Sequence, residues 1–348
     1  MSKPHTVPMR AGMELDEKRL GDYLARHIAG FRPPARVTQF QGGQSNPTYF
    51  IEAGDERYVL RKKPPGKLLP SAHAVEREYR VMKALADTDV PVPEMLHLCE
   101  DDAIVGTPFY VMAYMDGRVV QDPALPDASG PAERSAVYDA MNDVLARLHR
   151  VDWQAVGLEG FGKPGHYIER QIARWSKQYQ ASKTHDIPAM DRLIEWLPHN
   201  VPEGDETAIA HGDYRLGNVM LHPDKPEIIA LLDWELATLG HPLSDLAYNC
   251  IPYHLPAGQP GLRGVVGIDY LAAGIPAEQD YVAAYCRRTG REPIEHWPFF
   301  VAFALFRLAA IAQGVYARAQ QGNASDEHAL DVGRNATLLA QTGWDLVR

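Results

Sequence analysis

One stretch beyond the middle of the chain constrains the fold and the chemistry more than any other. Residues 211–218 read HGDYRLGN, and after a short turn residues 232–235 read LDWE. The run EIIALL at 227–232 predicts a buried strand, so Asp233 would lie at the end of a rigid element. The whole frame predicts a polar loop followed by a hairpin, with Asp213, Asn218 and Asp233 as its functional side chains.

These residue types match one kind of chemistry. Phosphoryl transfer from ATP needs a carboxylate that orients and deprotonates an incoming hydroxyl, and two oxygen ligands for magnesium. Asp213 is the candidate catalytic base. Asn218 and Asp233 are the candidate magnesium ligands, because amide and carboxylate oxygens suit a hard ion. The alternative is an Asp-capped turn that leads into an ordinary hairpin.

Three further stretches carry a resemblance to a known family: YVLRKKPPG at 58–66, RQIARW at 170–175 and GHPLSDLAY at 240–248. With the HGDxxxxN frame, they make the chain resemble the aminoglycoside phosphotransferase-type kinases, which share a core with the eukaryotic protein kinases. Within that family, the chain is most similar to the kinase-like domains fused to, or encoded beside, certain acyl-CoA dehydrogenases. The resemblance runs from about Phe40 to the C-terminal helices.

The resemblance implies an α+β, bilobal, protein-kinase-like fold. Residues 1–115 would form an N-lobe with an antiparallel sheet and one main helix, preceded by an N-terminal helix. Residues 116–348 would form a larger, mostly helical C-lobe. Local patterns agree: they predict strands near 37–40, 48–52, 57–62 and 109–114, and helices near 20–28 and 71–85. Helices are predicted later near 244–249, 280–288, 294–319 and 326–346.

A glycine-rich turn between the first two strands is a candidate phosphate-binding loop. Glycines let a backbone approach a triphosphate closely, and a neighbouring hydroxyl adds a donor. A plain hairpin turn is the alternative, but in the family this turn covers the phosphates. The nucleotide-binding residues predicted here are Gly42, Gly43, Gln44 and Ser45.

Arg61 occupies the strand position at which kinase-like folds offer a lysine to the α- and β-phosphates. Arginine keeps its charge and can bind phosphate through two hydrogen bonds, so it can take this role. Val59 lies on the same face of the strand and would contact adenine, whereas Lys62 faces the other way. Lys63 is the alternative to Arg61, and a solvated basic strand end is the alternative for all three cations.

The resemblance also implies a glutamate that holds the phosphate-binding cation, and a hinge that binds adenine. Glu78 matches the pairing glutamate better than Glu76 does. Met112, Ala113 and Met115 resemble the hinge, where Ala113 and Met115 would offer backbone groups and Met112 would lie behind the base. A plain edge strand is the alternative.

Four other residues have predicted roles around the loop. His211 and Asp245 are predicted to support the catalytic loop, and Arg215 to form a salt bridge or contact the acceptor. Arg307 lies in a helix that is otherwise apolar on every side, which predicts a buried guanidinium. We expect an internal ion pair there, with anion binding as the alternative.

Composition excludes some partners. A net charge of −10 and a pI near 5.8 argue against nucleic acid or an anionic membrane as the main partner. Three widely spaced cysteines, with no metal-ligand spacing, predict buried thiols in a reducing cytosol. The N-terminus lacks a signal-peptide pattern, and no run of 18 apolar residues is present. We therefore expect a cytoplasmic protein.

The phosphoryl acceptor is open among three hypotheses. The acyl-CoA dehydrogenase resemblance implies a hydroxyacyl thioester and a functional association with such an enzyme. An aminoglycoside or amino sugar is the second, and a nucleotide-binding pseudokinase that acts as an interaction module is the third. Carboxylates suited to a cationic drug and arginines suited to an anion both occur, and the arginines favour a hydroxyacyl-CoA-like or otherwise anionic acceptor. The residues weighed are Asp116, Asp122, Asp127, Arg118, Arg174, Arg307 and Arg318.

Overall fold

The computed structural model describes residues 5–41, 46–66, 73–321 and 329–348. Its N-terminal part is built on one antiparallel sheet of six strands in the order β1-β2-β3-β4-β6-β5. The strands are β1 (Thr6–Val7), β2 (Ala35–Phe40), β3 (Thr48–Ala53), β4 (Glu56–Lys62), β5 (Met95–Cys99) and β6 (Phe109–Ala113). Its helices are α1 (Glu17–His27), α2 (Val75–Leu85) and the short α3 (Asp102–Val105).

Alternation along the strands separates two faces of this sheet. One face packs against α1, whose Leu20 and Leu24 are fully buried with Leu60 of β4. Asp16 caps α1 by accepting a hydrogen bond from the Arg19 amide, which satisfies one of the first amides of the helix. Val59 lies on the opposite face, because successive residues of a strand point to opposite sides of the sheet, and this face is directed toward the rest of the chain.

The C-terminal part is mainly helical and carries two short antiparallel strand pairs. Antiparallel β7 pairs with β10, and β8 pairs with β9. The helices are α4 (Pro131–Arg150), α5 (Tyr167–Ser182), α6 (Pro188–Trp196), α7 (Pro242–Cys250), α8 (Glu278–Thr289), α9 (Trp297–Gln320), α10 (Ala329–Arg334) and α11 (Ala336–Asp345). The strands are β7 (Ala208–Ala210), β8 (Val219–Leu221), β9 (Ile228–Leu231) and β10 (Thr238–Gly240).

Helix α9 is the centre of the C-terminal core. It contacts α5, α7, α10 and α11, so it is surrounded by protein on most sides. Its length and composition would suffice to cross a membrane, but 78% of its most apolar window is buried inside the fold. A helix that is apolar all round and packed in this way is a core helix.

The predicted α+β architecture is confirmed, with differences in individual elements. Strand β5 was not predicted, because MLHLC lacks both alternation and β-branched residues. The single C-terminal helix predicted at 326–346 is instead α10 and α11, which meet at Asn335. The predicted helix start at Ser71 lies outside the described residues, and α2 begins at Val75 without a side-chain cap.

Candidate active site

Asp213 and Asn218 meet in the loop between β7 and β8. The Asn218 side-chain amide donates to Oδ2 of Asp213 at 2.7 Å and to the Asp213 carbonyl at 2.9 Å. Arg215 donates to the same carboxylate oxygen from Nε, at 3.2 Å. The Asp213 side chain keeps 18% of its surface exposed, so its carboxylate is fixed in orientation and still reachable.

A buried carboxylate holds the start of this loop. Asp245, near the N-terminus of α7, accepts hydrogen bonds from the backbone amides of His211 (2.6 Å) and Gly212 (2.9 Å). Burial raises the pKa of Asp245, but His149 and the Gly212 amide lower it by more, so its pKa falls below the ordinary value. Gly212 has a φ of 85°, and a Cβ there would lie 2.6 Å from the Leu236 carbonyl oxygen. The predicted bracing role of Asp245 thus agrees with its contacts.

His211 connects the loop to the following hairpin. Its Nε2 lies 2.9 Å from the Leu232 carbonyl oxygen, and the Asp213 amide donates to its Nδ1 at 3.3 Å. The ring is fully buried. A neutral ring with the proton on Nε2 satisfies both contacts, which is a supporting role as predicted.

Asp233 lies beside Asn218 because of the β8–β9 pairing. The Leu232 amide donates to the Asn218 carbonyl at 2.8 Å, and Asp233 is the next residue. Its backbone is left-handed, with φ 64° and ψ 62°. For a residue other than glycine, such a conformation costs roughly 1–3 kcal/mol and is typical of functional sites.

Arg61 bridges the sheet and the hairpin. Its Nη2 donates to Oδ1 of Asp233 at 2.8 Å, and its Nε lies 3.0 Å from Oε2 of Glu78 without hydrogen-bond alignment. Glu235 lies 3.7 Å from the same guanidinium. Burial lowers the pKa of Arg61, but these carboxylates raise it by more, so the guanidinium stays charged. With 13% of its side chain exposed, Arg61 is not part of a solvated strand end.

Glu78, rather than Glu76, is the partner of Arg61, which is the pairing that the sequence favoured. Its side chain is 1% exposed and accepts hydrogen bonds from Asn46 (2.8 Å) and the Tyr110 hydroxyl (3.0 Å). Burial raises the pKa of Glu78 to about 7, although Arg61 opposes that shift. Asn46 and Tyr110 were not identified from the sequence, because only the packing of α2 on the sheet brings them to Glu78.

The two lysines that follow Arg61 point elsewhere. Lys62 is 5% exposed, and its ammonium donates to the Val105 carbonyl at 2.7 Å, on the other side of the sheet. Lys63 pairs with Glu76 at 2.9 Å. Neither of these two lysine contacts involves Glu78 or Asp233. Arg61 is therefore better placed than Lys62 or Lys63 to bind a nucleotide phosphate.

Substituting Arg61 should therefore weaken ATP binding far more than substituting Lys62. We expect Arg61→Met to reduce ATP affinity by about 10–100-fold, the value of one or two charge-assisted hydrogen bonds. Lys62→Met is the matched control, because it keeps the buried methylene stem and loses about 1 kcal/mol of stability with its hydrogen bond. Calorimetric titration and thermal unfolding separate the two effects, and a greater loss of ATP affinity in the lysine variant would contradict the assignment.

An apolar row on the inner face of the sheet suits a nucleotide base. Phe50, Val59 and Met112 are direct neighbours across β3, β4 and β6. The Ala113 amide donates to the Glu94 carbonyl at 2.9 Å, so it is not available to a base. Met115 lies two residues beyond the end of β6 and is partly buried.

The remaining predicted nucleotide contacts belong to the glycine-rich turn. The glycine-rich turn, with Gly42, Gly43, Gln44 and Ser45, lies outside the described residues.

The donor set fits a magnesium ion held jointly with phosphate. Asn218 donates from its amide nitrogen to Asp213, so its Oδ1 is the atom that would ligate a metal. Asp233 uses Oδ1 on Arg61 and has a second oxygen. Across the described ranges, no three His, Cys, Asp or Glu side chains form a metal cluster. Mg²⁺ usually takes one or two protein ligands plus phosphate and water, so two ligands suffice.

The prediction of an internal ion pair at Arg307 is wrong. Within the described part of the chain, no carboxylate lies within ion-pair distance of its guanidinium, which donates to the Gly212 carbonyl at 2.5 Å. The same group lies 5.3 Å from the ring centre of Tyr248 and 5.7 Å from that of Trp175. A carbonyl and two aromatic faces take the place of the carboxylate, and Arg307 thereby holds the loop at Gly212, while its Nε is buried without a hydrogen-bond partner among the described residues.

A cavity of about 220 Å³, the loop cavity, opens beside the catalytic loop between α7, α9 and α11. Its apolar walls include Tyr248, Ile251, Leu255, Leu308, Ile311 and Leu339. Its charged members are Arg215 and Arg263.

The arginines that the sequence pointed to for an anionic acceptor do not line the loop cavity. Arg118 pairs with Glu133, and Arg174 stacks on Trp175. Arg263 was missed because it lies in an irregular connection, where no periodicity predicts which way a side chain points.

Comparison with known proteins identifies the family of this chain. Residues 36–293 match the phosphotransferase enzyme family. The chain is 50% identical over 346 residues to the mouse protein acyl-CoA dehydrogenase family member 10, covering 98% of this chain and 32% of that protein. The chain thus spans about a third of that relative's length.

Solved structures agree with this match. A Ralstonia eutropha protein classed among the aminoglycoside phosphotransferases superposes with a TM-score of 0.88 and 48% identity, covering 96% of this chain and 98% of that one. A second solved structure is a thermostable mutant of aminoglycoside phosphotransferase APH(4)-Ia, in complex with AMP-PNP and hygromycin B. It superposes with a TM-score of 0.60 and 18% identity, covering 95% of this chain and 98% of that one, which shows that the two share a fold. The chain belongs to the phosphotransferase enzyme family and has its protein-kinase-like fold.

Proposed function

We propose that this protein transfers the γ-phosphoryl group of ATP to a hydroxyl group of a small, anionic acceptor. One observation carries the proposal: a continuous series of contacts joins the pair Asp213–Asn218 to the cluster of Arg61, Glu78 and Asp233, because the β8–β9 pairing places Asp233 beside Asn218. The first pair comes from the catalytic loop, and Arg61 joins the sheet to the hairpin through Asp233. This proximity supports the proposed roles of these residues as base, metal ligands and phosphate-binding cation in phosphoryl transfer.

The reaction follows from these positions. Asp213 accepts a hydrogen bond from the acceptor hydroxyl and takes its proton as the new O–P bond forms. The bond between the γ-phosphorus and its bridging oxygen breaks, and ADP leaves with the bonding electrons. Asn218 and Arg215 hold the carboxylate in its orientation throughout.

Arg61 would hold the α- and β-phosphates, and Glu78 fixes its guanidinium. Asn218 and Asp233 would hold magnesium, which when bound offsets charge on the β- and γ-phosphate oxygens. The row of Phe50, Val59 and Met112 would contact the adenine ring. An intact catalytic set of this kind argues against a pseudokinase, even though arginine replaces lysine.

For the acceptor, we favour a hydroxyacyl thioester over an aminoglycoside. The loop cavity is mostly apolar, and its charged members Arg215 and Arg263 would repel a polycation and attract phosphate or carboxylate. The relative named as an acyl-CoA dehydrogenase supports the same substrate class and a functional association with such an enzyme. Phosphorylation would convert a hydroxyl, a poor leaving group, into a good one.

An acceptor panel tests this proposal. With ATP and magnesium, hydroxyacyl-CoA thioesters should be phosphorylated, and kanamycin-type aminoglycosides and amino alcohols should be poor acceptors, as measured by mass spectrometry of the products. Efficient phosphorylation of kanamycin with inert hydroxyacyl-CoA would reverse the choice of acceptor. ATP binding without turnover on any acceptor would instead favour the pseudokinase.

A further inference from the structure

The loop cavity adjoins the reacting groups directly. Arg215, Leu216 and Gly217 of the catalytic loop form one side of it, and Arg215 donates to the Asp213 carboxylate. Tyr248 of α7 forms the next part of the wall. An acceptor whose hydroxyl reaches Asp213 can therefore extend into this cavity.

The polar and apolar parts of the lining are segregated. Gln121 and Arg263 are exposed, and the Arg215 side chain keeps 41% of its surface accessible, so the charged and amide groups lie at the opening. Leu255 and Leu339 are buried and lie in the interior wall, with 2% and 1% exposure. Polar atoms that enter the cavity interior would lose their hydrogen bonds to water and gain few protein partners. Methylene groups make no hydrogen bonds, so they would enter without this loss.

We infer that the loop cavity takes the alkyl tail of the acceptor, the segment beyond the reacting hydroxyl, and that Ile311 of α9, as part of the cavity wall, limits the volume open to that tail. This inference rests on the proposed function. The thioester and its anionic carrier then extend out of the opening, past Arg215 and Arg263. Ile311 is partly exposed although it lies within the buried core helix, because its side chain borders the cavity.

Burial of each further methylene should tighten binding by about fourfold until the cavity is full. Uniform binding of this kind lowers KM and leaves kcat nearly constant, because the tail does not change during transfer. The expected profile is a stepwise fall of KM with tail length, followed by a plateau or a reversal.

The experiment uses the full chain and hydroxyacyl-CoA thioesters with the hydroxyl at one fixed carbon and tails that grow by one methylene. We expect Ile311→Phe to raise KM for the longest tails by about fourfold or more, since the larger side chain removes the space of roughly one methylene, and to spare the shortest. Ile311→Ala should move the plateau to longer tails. Leu338→Phe is the matched control, because Leu338 is 36% exposed on α11 and lies outside the cavity lining.

Direct binding separates this inference from the proposed function. Medium-chain hydroxy fatty acids, which lack the thioester, are titrated calorimetrically into the wild type and the three variants, and an ATP titration verifies that each variant is folded. If no thioester is phosphorylated but affinity still rises with tail length and falls in Ile311→Phe, the thioester proposal fails and the cavity assignment holds. If neither KM nor affinity depends on tail length, or if Ile311→Phe behaves as Leu338→Phe does, the inference is overturned.

Discussion

Asp213→Asn should fold normally, bind ATP with magnesium as tightly as the wild type, and turn over about 10²–10⁴-fold more slowly. The amide keeps the shape of the side chain and one oxygen to accept from Asn218 and Arg215, but it cannot take the proton of the acceptor. Turnover is measured as ADP release with the best acceptor of the panel, and ATP affinity by calorimetry.

The matched control is Asp224→Asn, the same chemical change at an exposed position in the turn of the β8–β9 hairpin. It should leave both turnover and affinity unchanged. Near-normal turnover in Asp213→Asn would mean that another group is the base. Loss of ATP affinity in that variant would mean instead that Asp213 contributes mainly to the nucleotide site.

Asp233→Asn should abolish most of the magnesium dependence of ATP binding. Substitution of residues that only support a metal's ligands typically costs about 10–100-fold in affinity, and a lost charged ligand should cost at least about 100-fold. Asparagine also tolerates the left-handed backbone at this position, so the backbone should not be disturbed. ATP is titrated calorimetrically with and without magnesium, and the ratio of the two affinities is compared with that of the wild type.

Glu235→Gln serves as the control for this variant. It removes another carboxylate near Arg61, at 3.7 Å, without changing a predicted metal ligand. A general effect of charge around Arg61 would affect both variants alike, whereas loss of a metal ligand affects only Asp233→Asn. An unchanged magnesium dependence in Asp233→Asn would refute the metal assignment.

The spacing of residues along the sequence predicted those site residues whose relative positions are set by the local backbone. Asp213 and Asn218 lie five apart in one loop, and strand pairing alone brings Asp233 next to Asn218. Alternation along β4 separated Arg61 from Lys62. Helical periodicity likewise put Glu76 and Glu78 on different faces, and they pair with different cations.

Contacts between distant segments were the ones that the sequence did not reveal. Arg307 was expected to need a carboxylate, but it binds a backbone carbonyl 95 residues away and two aromatic rings. Every residue has a carbonyl, so composition offers no signal for such a partner. The cavity arginine Arg263 was missed for a related reason, since the path of an irregular loop has no period.

The double contact of Arg61 has a consequence for how charge is balanced during a catalytic cycle. Without nucleotide, the Arg61 guanidinium is the counterion of Asp233, so neither of these two partly buried groups lacks an opposite charge. Under the proposed function, Arg61 would bind phosphate in place of Asp233, and Asp233 would hold magnesium. Asp233 and Arg61 would then each exchange one counterion for another, so each of the two groups would keep an opposite charge beside it with and without nucleotide.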